Sequence, residues 1–220
     1  MGSEIYLFNK LHKKTSRKYI DRMVDDKINC MTKSKEYGYE YWDGDRRFGY
    51  GGYKYDGRWV EIAKDLIQQY KLTNDSKVLD VGCGKAFLIY EIKQMLPDIT
   101  IAGFDSSLYA IENAKEEIRE HLYIHKAQET YKYEDNEFDL VISLGTLHNL
   151  KIFDLKKAVQ EMQRVAKNKF IMVEAYRNDT ELFNLECWAL TCESFFAPDE
   201  WTWLYDEWGY TGDYEFIYFE

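Results

Sequence analysis

Val78-Leu79-Asp80-Val81-Gly82-Cys83-Gly84 is the stretch that decides the fold. Its apolar half reads as a short buried strand, and its two glycines read as a tight turn into a helix. Glycine lets a ligand approach the backbone there, beside helix-start N–H groups that lack a partner within the helix. Taken alone the loop is weak evidence, because several kinds of nucleotide-like ligand are held this way.

Two further residues narrow it. Asp80 precedes Gly82 at the end of the strand, where a carboxylate suits a cation such as an amino-acid ammonium and repels a pyrophosphate. The spacing Gly82-x-Gly84-x-Ala86 also lacks the third glycine of a dinucleotide site. Asp105 follows Gly84 by twenty-one residues, at the end of the next strand, where a carboxylate can accept both hydroxyls of a ribose. Either residue by itself is explained as a cap of the following helix. Together they mark the carboxyl edge of a parallel sheet, where open α/β folds bind ligands.

Around this stretch, strands and helices alternate. Apolar spacing predicts helices over 58–70, 85–96, 108–119 and 155–165, and strands over 77–81, 99–104, 122–125, 138–144 and 169–175. Pro198 opens a helix to Trp208, and a last strand covers 214–219. The expected fold is α/β and doubly wound: a mostly parallel sheet of six or seven strands, helices on both faces, the last strand antiparallel. Residues 1–57 are expected to form an N-terminal extension, helical from about Ser16 to Lys35 and Gly/Tyr-rich beyond. Residues 58–220 form the main domain.

Composition excludes several classes. No apolar run reaches the roughly eighteen residues of a membrane span. The stretch Met1 to Lys18 has no apolar signal-peptide core, and four cysteines show neither metal-ligand nor disulfide spacing. These features predict a cytoplasmic protein with free thiols. Net charge is -10, and residues 170–220 hold twelve Asp/Glu against one Arg. That balance counts against a nucleic-acid partner, although a solvated acidic surface explains it as well. Aromatics make up 17% of the chain. Tyr50-Gly51-Gly52-Tyr53-Lys54-Tyr55 reads as an aromatic lid, with Gly51, Gly52 and Gly57 as hinges.

Across residues 58–176 the chain resembles the class I methyltransferase superfamily. Val78 to Gly84 resembles its first motif, Gly103-Phe104-Asp105-Ser106-Ser107 its second-strand acidic motif, and Phe138-Asp139-Leu140-Val141-Ile142-Ser143 its fourth-strand motif. The resemblance implies S-adenosyl-L-methionine as cofactor and S-adenosyl-L-homocysteine as product. It implies that Asp80, Gly82, Cys83 and Gly84 wrap the methionine part, Asp105 and Ser106 hold the ribose, and Ala127 and Gln128 contact adenine. Leu144 would line the same site, Tyr53 would cover it from the lid, and Arg58 would pair with the methionine carboxylate. The segments Tyr41-Trp42-Asp43-Gly44-Asp45, Gly49-Tyr50-Gly51-Gly52-Tyr53, Thr146-Leu147-His148-Asn149-Leu150 and Trp188-Ala189-Leu190-Thr191-Cys192-Glu193 resemble a narrower bacterial group, one associated with surface-polysaccharide or small-molecule modification.

The acceptor side is less defined. His148 follows strand four and is the best-placed general base of the four histidines, though positioning or packing explains a lone loop histidine equally well. Asn149, Glu174, Tyr176 and Trp188 are candidate contacts for a small-molecule acceptor, and Phe195, Trp201 and Trp203 are further aromatic candidates for stacking. His121 and His125 straddle a helix–strand boundary, so no metal site is expected. No Asn/Asp-Pro-Pro-aromatic tetrad follows strand four, which again counts against nucleic-acid methylation. A module that binds the cofactor without transferring methyl, and a nicotinamide-dependent oxidoreductase, remain as alternatives. Nothing in the sequence indicates oligomeric state.

Overall fold

The computed structural model describes residues 2–8, 17–51 and 53–220. Its strands are β1 (Lys77–Val81), β2 (Thr100–Asp105), β3 (Leu122–Ile124), β4 (Phe138–Leu144), β5 (Ala166–Glu174) and β6 (Asp213–Ile217). They form one sheet in the order β3-β2-β1-β4-β5-β6. Helices α1 (Tyr19–Val24), α2 (Lys27–Ser34) and α3 (Tyr39–Trp42) precede the sheet, followed by α4 (Trp59–Tyr70). Then come α5 (Phe87–Met95), α6 (Leu108–Glu112), α7 (Ile152–Val165), α8 (Asp179–Trp188) and α9 (Pro198–Glu207).

Alternate residues of the central strands enter two cores. Leu79, Val81 and Val141 pack with α7 and α9 on one face. Val78, Leu140 and Ile142 pack with α4 and α5 on the other. Burial on both faces is why these strands read as near-continuous apolar runs.

The expected antiparallel last strand is corrected. Every strand pairing is parallel, β5 with β6 included. Two helices, α8 and α9, carry the chain back to the starting end of the sheet before β6, the connection a parallel pair requires. Helix α8 is hard to read from sequence because polar Glu181 is buried and apolar Phe183 is exposed.

Other boundaries move for local reasons. The helix expected over 108–119 stops at Glu112, and Glu116–His121 forms tighter 3-10 turns instead. The helix expected from Ser16 to Lys35 breaks into α1 and α2 at Asp26, which is left-handed with φ 42°. Ser16 itself lies outside the described residues. The outer edge of β6 is met by the N-terminal segment, where the Ile5 N–H donates to the Tyr214 carbonyl at 2.9 Å. The buried Glu215 carboxylate accepts from the N–H groups of Leu7 and Phe8, anchoring this segment beside β6. Among the described residues no helix is long and apolar enough to cross a membrane.

The strand order reverses between β1 and β4. The carboxyl ends of these two strands therefore open the crevice where ligands of such folds bind.

Candidate active site

At the end of β1, the N–H groups of Gly82 and Cys83 both donate to the Phe104 carbonyl, tying the glycine turn to β2. Gly82 has φ +74°, and a Cβ there would lie 2.3 Å from the Thr146 side chain. Only glycine satisfies both conditions. Asp105 accepts the Gly84 N–H at 2.9 Å through one oxygen and the Ser107 N–H at 2.8 Å through the other. Its carboxylate thus holds the turn and the start of α6 in one frame.

Asp80 is 4% exposed. Burial, reinforced by the nearby Asp105 charge, pushes its carboxyl up to about 8. Burial also raises Asp105, against the N–H groups of Ser107, Gly84 and Ser106 that favour its charged form. Two desolvated carboxylates at neighbouring strand ends are a poor arrangement by themselves and a good one around a cation. The pair could therefore hold a cation such as an ammonium, and a carboxylate such as Asp105 could also accept the hydroxyls of a ribose. The Cys83 thiol is pushed up by burial and by both carboxylates, so it is not a reactive thiolate.

The turn opens onto a cavity of about 930 Å³, and all eleven cofactor residues expected from the sequence line it. Arg58 does so with its guanidinium already paired to Asp56, at 2.9 Å from Nε, on the exposed rim. His148, Asn149, Glu174 and Trp188 line the cavity too, whereas Tyr176 does not. Tyr176 instead packs on the patch formed by Leu185, Trp188 and Phe219.

In the cavity wall, His125 Nε2, Asn149 Oδ1 and Glu174 Oε2 are buried without a hydrogen-bond partner among the described residues. Buried polar atoms are nearly always bonded, so an orphan in a cavity wall is a candidate ligand contact. The sequence weighed His125 only as a metal ligand. The described residues contain no cluster able to hold a metal ion. The signal for His125 is its place immediately after β3, one strand over from Asp105.

The far end of the cavity belongs to β4 and β5. His148 is 3% exposed, in the turn Leu147–Asn149. Its Nδ1 accepts the Glu174 N–H at 3.3 Å, and its Nε2 lies 3.5 Å from Glu174 Oε2. Burial pushes the ring down to about 3, so it is neutral, with its basic nitrogen already engaged. Burial pushes Glu174 up to about 7, although Arg17 and Arg22 pull it down. Trp201, fully buried, donates to the Glu174 carbonyl at 3.2 Å and so supports the strand end rather than a substrate. Neither Phe195 nor Trp203 lines the cavity.

Trp188 reaches the cavity, but its ring is not a bare stacking surface. The Arg22, Arg46 and Arg17 guanidinium carbons lie 4.3, 5.2 and 5.4 Å from its centre. The expected lid is docked as well. The Tyr50 hydroxyl accepts N–H groups from Leu190 and Thr191, and Trp42 Nε1 donates to Ser107 Oγ at 2.9 Å. Lys85 Nζ, next to the glycine turn, is 2.7 Å from Asp43. Gly51 and Gly57 adopt φ +76° and +77°, a conformation that favours glycine, and Gly52 lies outside the described residues.

The methyltransferase-domain family model matches residues 72–209. This chain belongs to that family, the class I S-adenosylmethionine-dependent methyltransferases. Among relatives of this methyltransferase, a demethylmenaquinone methyltransferase of Thermotoga maritima is 25% identical over 58% of this chain and 55% of its own length. The human mitochondrial arginine-hydroxylase NDUFAF5 is 29% identical over 64% of this chain and 39% of its own. The chain thus spans about half or less of these curated relatives. In structure it is similar to YcgJ from Bacillus subtilis, with TM-score 0.53, 18% identity and 66% of each chain covered. It is also similar to a chain from the complex of the Haloferax volcanii Trm112 activator with a methyltransferase. There the TM-score is 0.57 at 15% identity, covering 84% of this chain and 76% of that one. At these identities the structures speak for the fold.

Proposed function

We propose that this methyltransferase transfers a methyl group from S-adenosylmethionine to a small-molecule acceptor at the β4–β5 end of its cavity. The observation that carries this is the pair of strand-end carboxylates, buried Asp80 and half-buried Asp105, lining the same cavity as Glu174, whose Oε2 has no hydrogen-bond partner among the described residues. Residues 1–57 act as an extension that closes the site, and residues 58–220 as the catalytic domain. When bound, the cofactor supplies a methyl group already activated on a sulfonium. The protein's part is to position, to exclude water and to move one proton.

In this reading Asp80 holds the ammonium, Asp105 with Ser106 the ribose, and His125, Ala127 and Gln128 the adenine. Tyr53 and Trp42 cover the methionine part. Glu174 takes the general-base role that the sequence assigned to His148. Burial pushes its carboxyl up to about 7, a range that suits a general base at neutral pH. His148 is the positioning residue, holding the Glu174 backbone through Nδ1. Orientation of the acceptor contributes most of the acceleration, up to ~7–11 kcal/mol.

Saccharides or activated polysaccharide precursors, methylated on oxygen or nitrogen, are the proposed acceptors. Support for them is the resemblance of the Tyr-Trp-Asp-Gly-Asp and Trp-Ala-Leu-Thr-Cys-Glu segments. A second reading, a cofactor-binding chain that performs another reaction, is favoured by the relative named as an arginine-hydroxylase.

A thermal-shift screen tests the cofactor. S-adenosylhomocysteine at a hundredfold excess over its dissociation constant should raise the midpoint by about 5–10 °C. Stabilisation by NAD(P) alone would overturn the proposal. Methyl transfer to a panel of free and phosphorylated sugars then tests the acceptor, and cofactor binding with no methylated product would favour the second reading.

A further inference from the structure

We propose that the methyl acceptor carries an anionic group, a carboxylate or a phosphate, held by Arg46 and Arg17 beside Trp188. The inference rests on the methyltransferase reading above and names the chemical class of its acceptor.

Three arginines from the N-terminal segment converge on one ring. Arg22 is the frame of the cluster: its guanidinium donates to the carbonyls of Trp188 and Gly49, each at 2.9 Å, and to that of Arg46 at 3.3 Å. Arg46 donates to the Gly49 carbonyl and lies over the Trp188 ring. Arg17 lies over Trp188 and, at 5.1 Å, over Phe219. Arg17, Arg46, Trp188 and Phe219 all line the cavity.

Most arginines outside this cluster are paired differently. Arg47, Arg58, Arg164 and Arg177 are each paired with a carboxylate. Among the described residues, the hydrogen bonds of Arg22 and Arg46 go to backbone carbonyls only. Partial burial, and then Arg22 and Arg17, disfavour the charged form of Arg46, so the cluster repels itself. Among the described residues no salt bridge balances the charges of Arg22 and Arg46. An anion would, and the planar guanidinium fork suits both carboxylate and phosphate.

Position separates this cluster from the cofactor's own carboxylate. The arginines surround the end of α8 and Phe219, on the β5–β6 side of the sheet. Asp80 stands on β1, two strands away from β5, or ~10 Å across the sheet. The arginines therefore flank Glu174, where the acceptor needs its proton removed.

The test is calorimetric titration of the full chain, loaded with S-adenosylhomocysteine, with inorganic phosphate, benzoate and the neutral benzyl alcohol. The series is repeated in Arg46→Gln and Arg46→Lys. At least one anion should bind where benzyl alcohol does not, and which one binds names the acceptor's anionic group. Arg46→Gln should weaken that binding about 10-fold or more. Arg46→Lys, which keeps the charge without the planar fork, should restore part of it, and S-adenosylhomocysteine affinity should stay within about twofold in both variants. Anions that bind no better than benzyl alcohol, or as well to Arg46→Gln as to wild type, would overturn the proposal. A loss of S-adenosylhomocysteine affinity in Arg46→Gln with anion binding unchanged would also overturn it, by assigning Arg46 to the cofactor. A wild-type chain that binds no S-adenosylhomocysteine overturns the cofactor reading itself, and the acceptor assignment falls with it.

Discussion

The two ends of the cavity carry ionisable groups of opposite kind, acidic at one and basic at the other, and are built by opposite means. At the β1–β2 end the charges are the carboxylates Asp80 and Asp105, each the terminal or near-terminal residue of its strand. At the β5–β6 end they are the guanidiniums of Arg17, Arg22 and Arg46, from a segment that contributes no strand to the sheet. The acidic stretch 170–220 lends that end its Trp188 and Phe219 but not its sign. A segment's net charge bears on solubility and long-range steering, whereas a site takes its sign from the few groups that reach it. One end follows from local strand chemistry, and the other exists only when distant segments dock.

Predictions at each end can break this comparison. The largest effect is expected at the acceptor end. Glu174→Gln should lower turnover about 10²–10⁴-fold with any acceptor found by screening, while leaving S-adenosylhomocysteine affinity unchanged. The wild-type rate should rise with pH through about 7 as Glu174 ionises, and the variant should lose that rise. Unimpaired turnover in Glu174→Gln, with a large loss in His148→Ala, would return the base role to His148.

At the cofactor end, Asp105→Ala should weaken S-adenosylhomocysteine by about 10- to 150-fold in calorimetry. Unchanged affinity would remove the ribose assignment. A smaller effect follows from Asp80, whose carboxyl titrates near 8 without ligand. Binding a cation there requires its ionised form, so affinity should rise from pH 6 to 8, by at most about tenfold per unit. Calorimetry in buffers of different ionisation enthalpy should detect net proton release; net uptake would contradict the ammonium contact.

The smallest effect concerns stability. The folded-state carboxyl of Asp80 is raised to about 8, above its unfolded value. The folded chain therefore holds the extra proton. This contribution is complete below about pH 4 and is lost as pH rises towards 8. At pH 7.5 the ligand-free Asp80→Asn variant should melt higher than wild type, by about 2–4 °C per kcal/mol gained. It should also lose the stabilisation by S-adenosylhomocysteine. A variant that melts lower would mean that Asp80 is held by groups within the chain.

Sequence by itself determined the central strands, the glycine turn and the two carboxylates beside it. These depend on residues a few positions apart, through period-two burial, left-handed glycines and strand-end geometry. β1 and β4 accordingly fall at their expected bounds. Local signals could not determine the direction of β6, because it depends on a second crossover helix whose burial pattern contradicts its polarity at Glu181 and Phe183. Nor could they show that His148 is neutral and bonded to the Glu174 backbone, that Trp188 is covered by arginines, or that Tyr176 turns away. Each of those outcomes is a contact between segments far apart in the chain, and burial and charge at a contact exist only once both sides are in place.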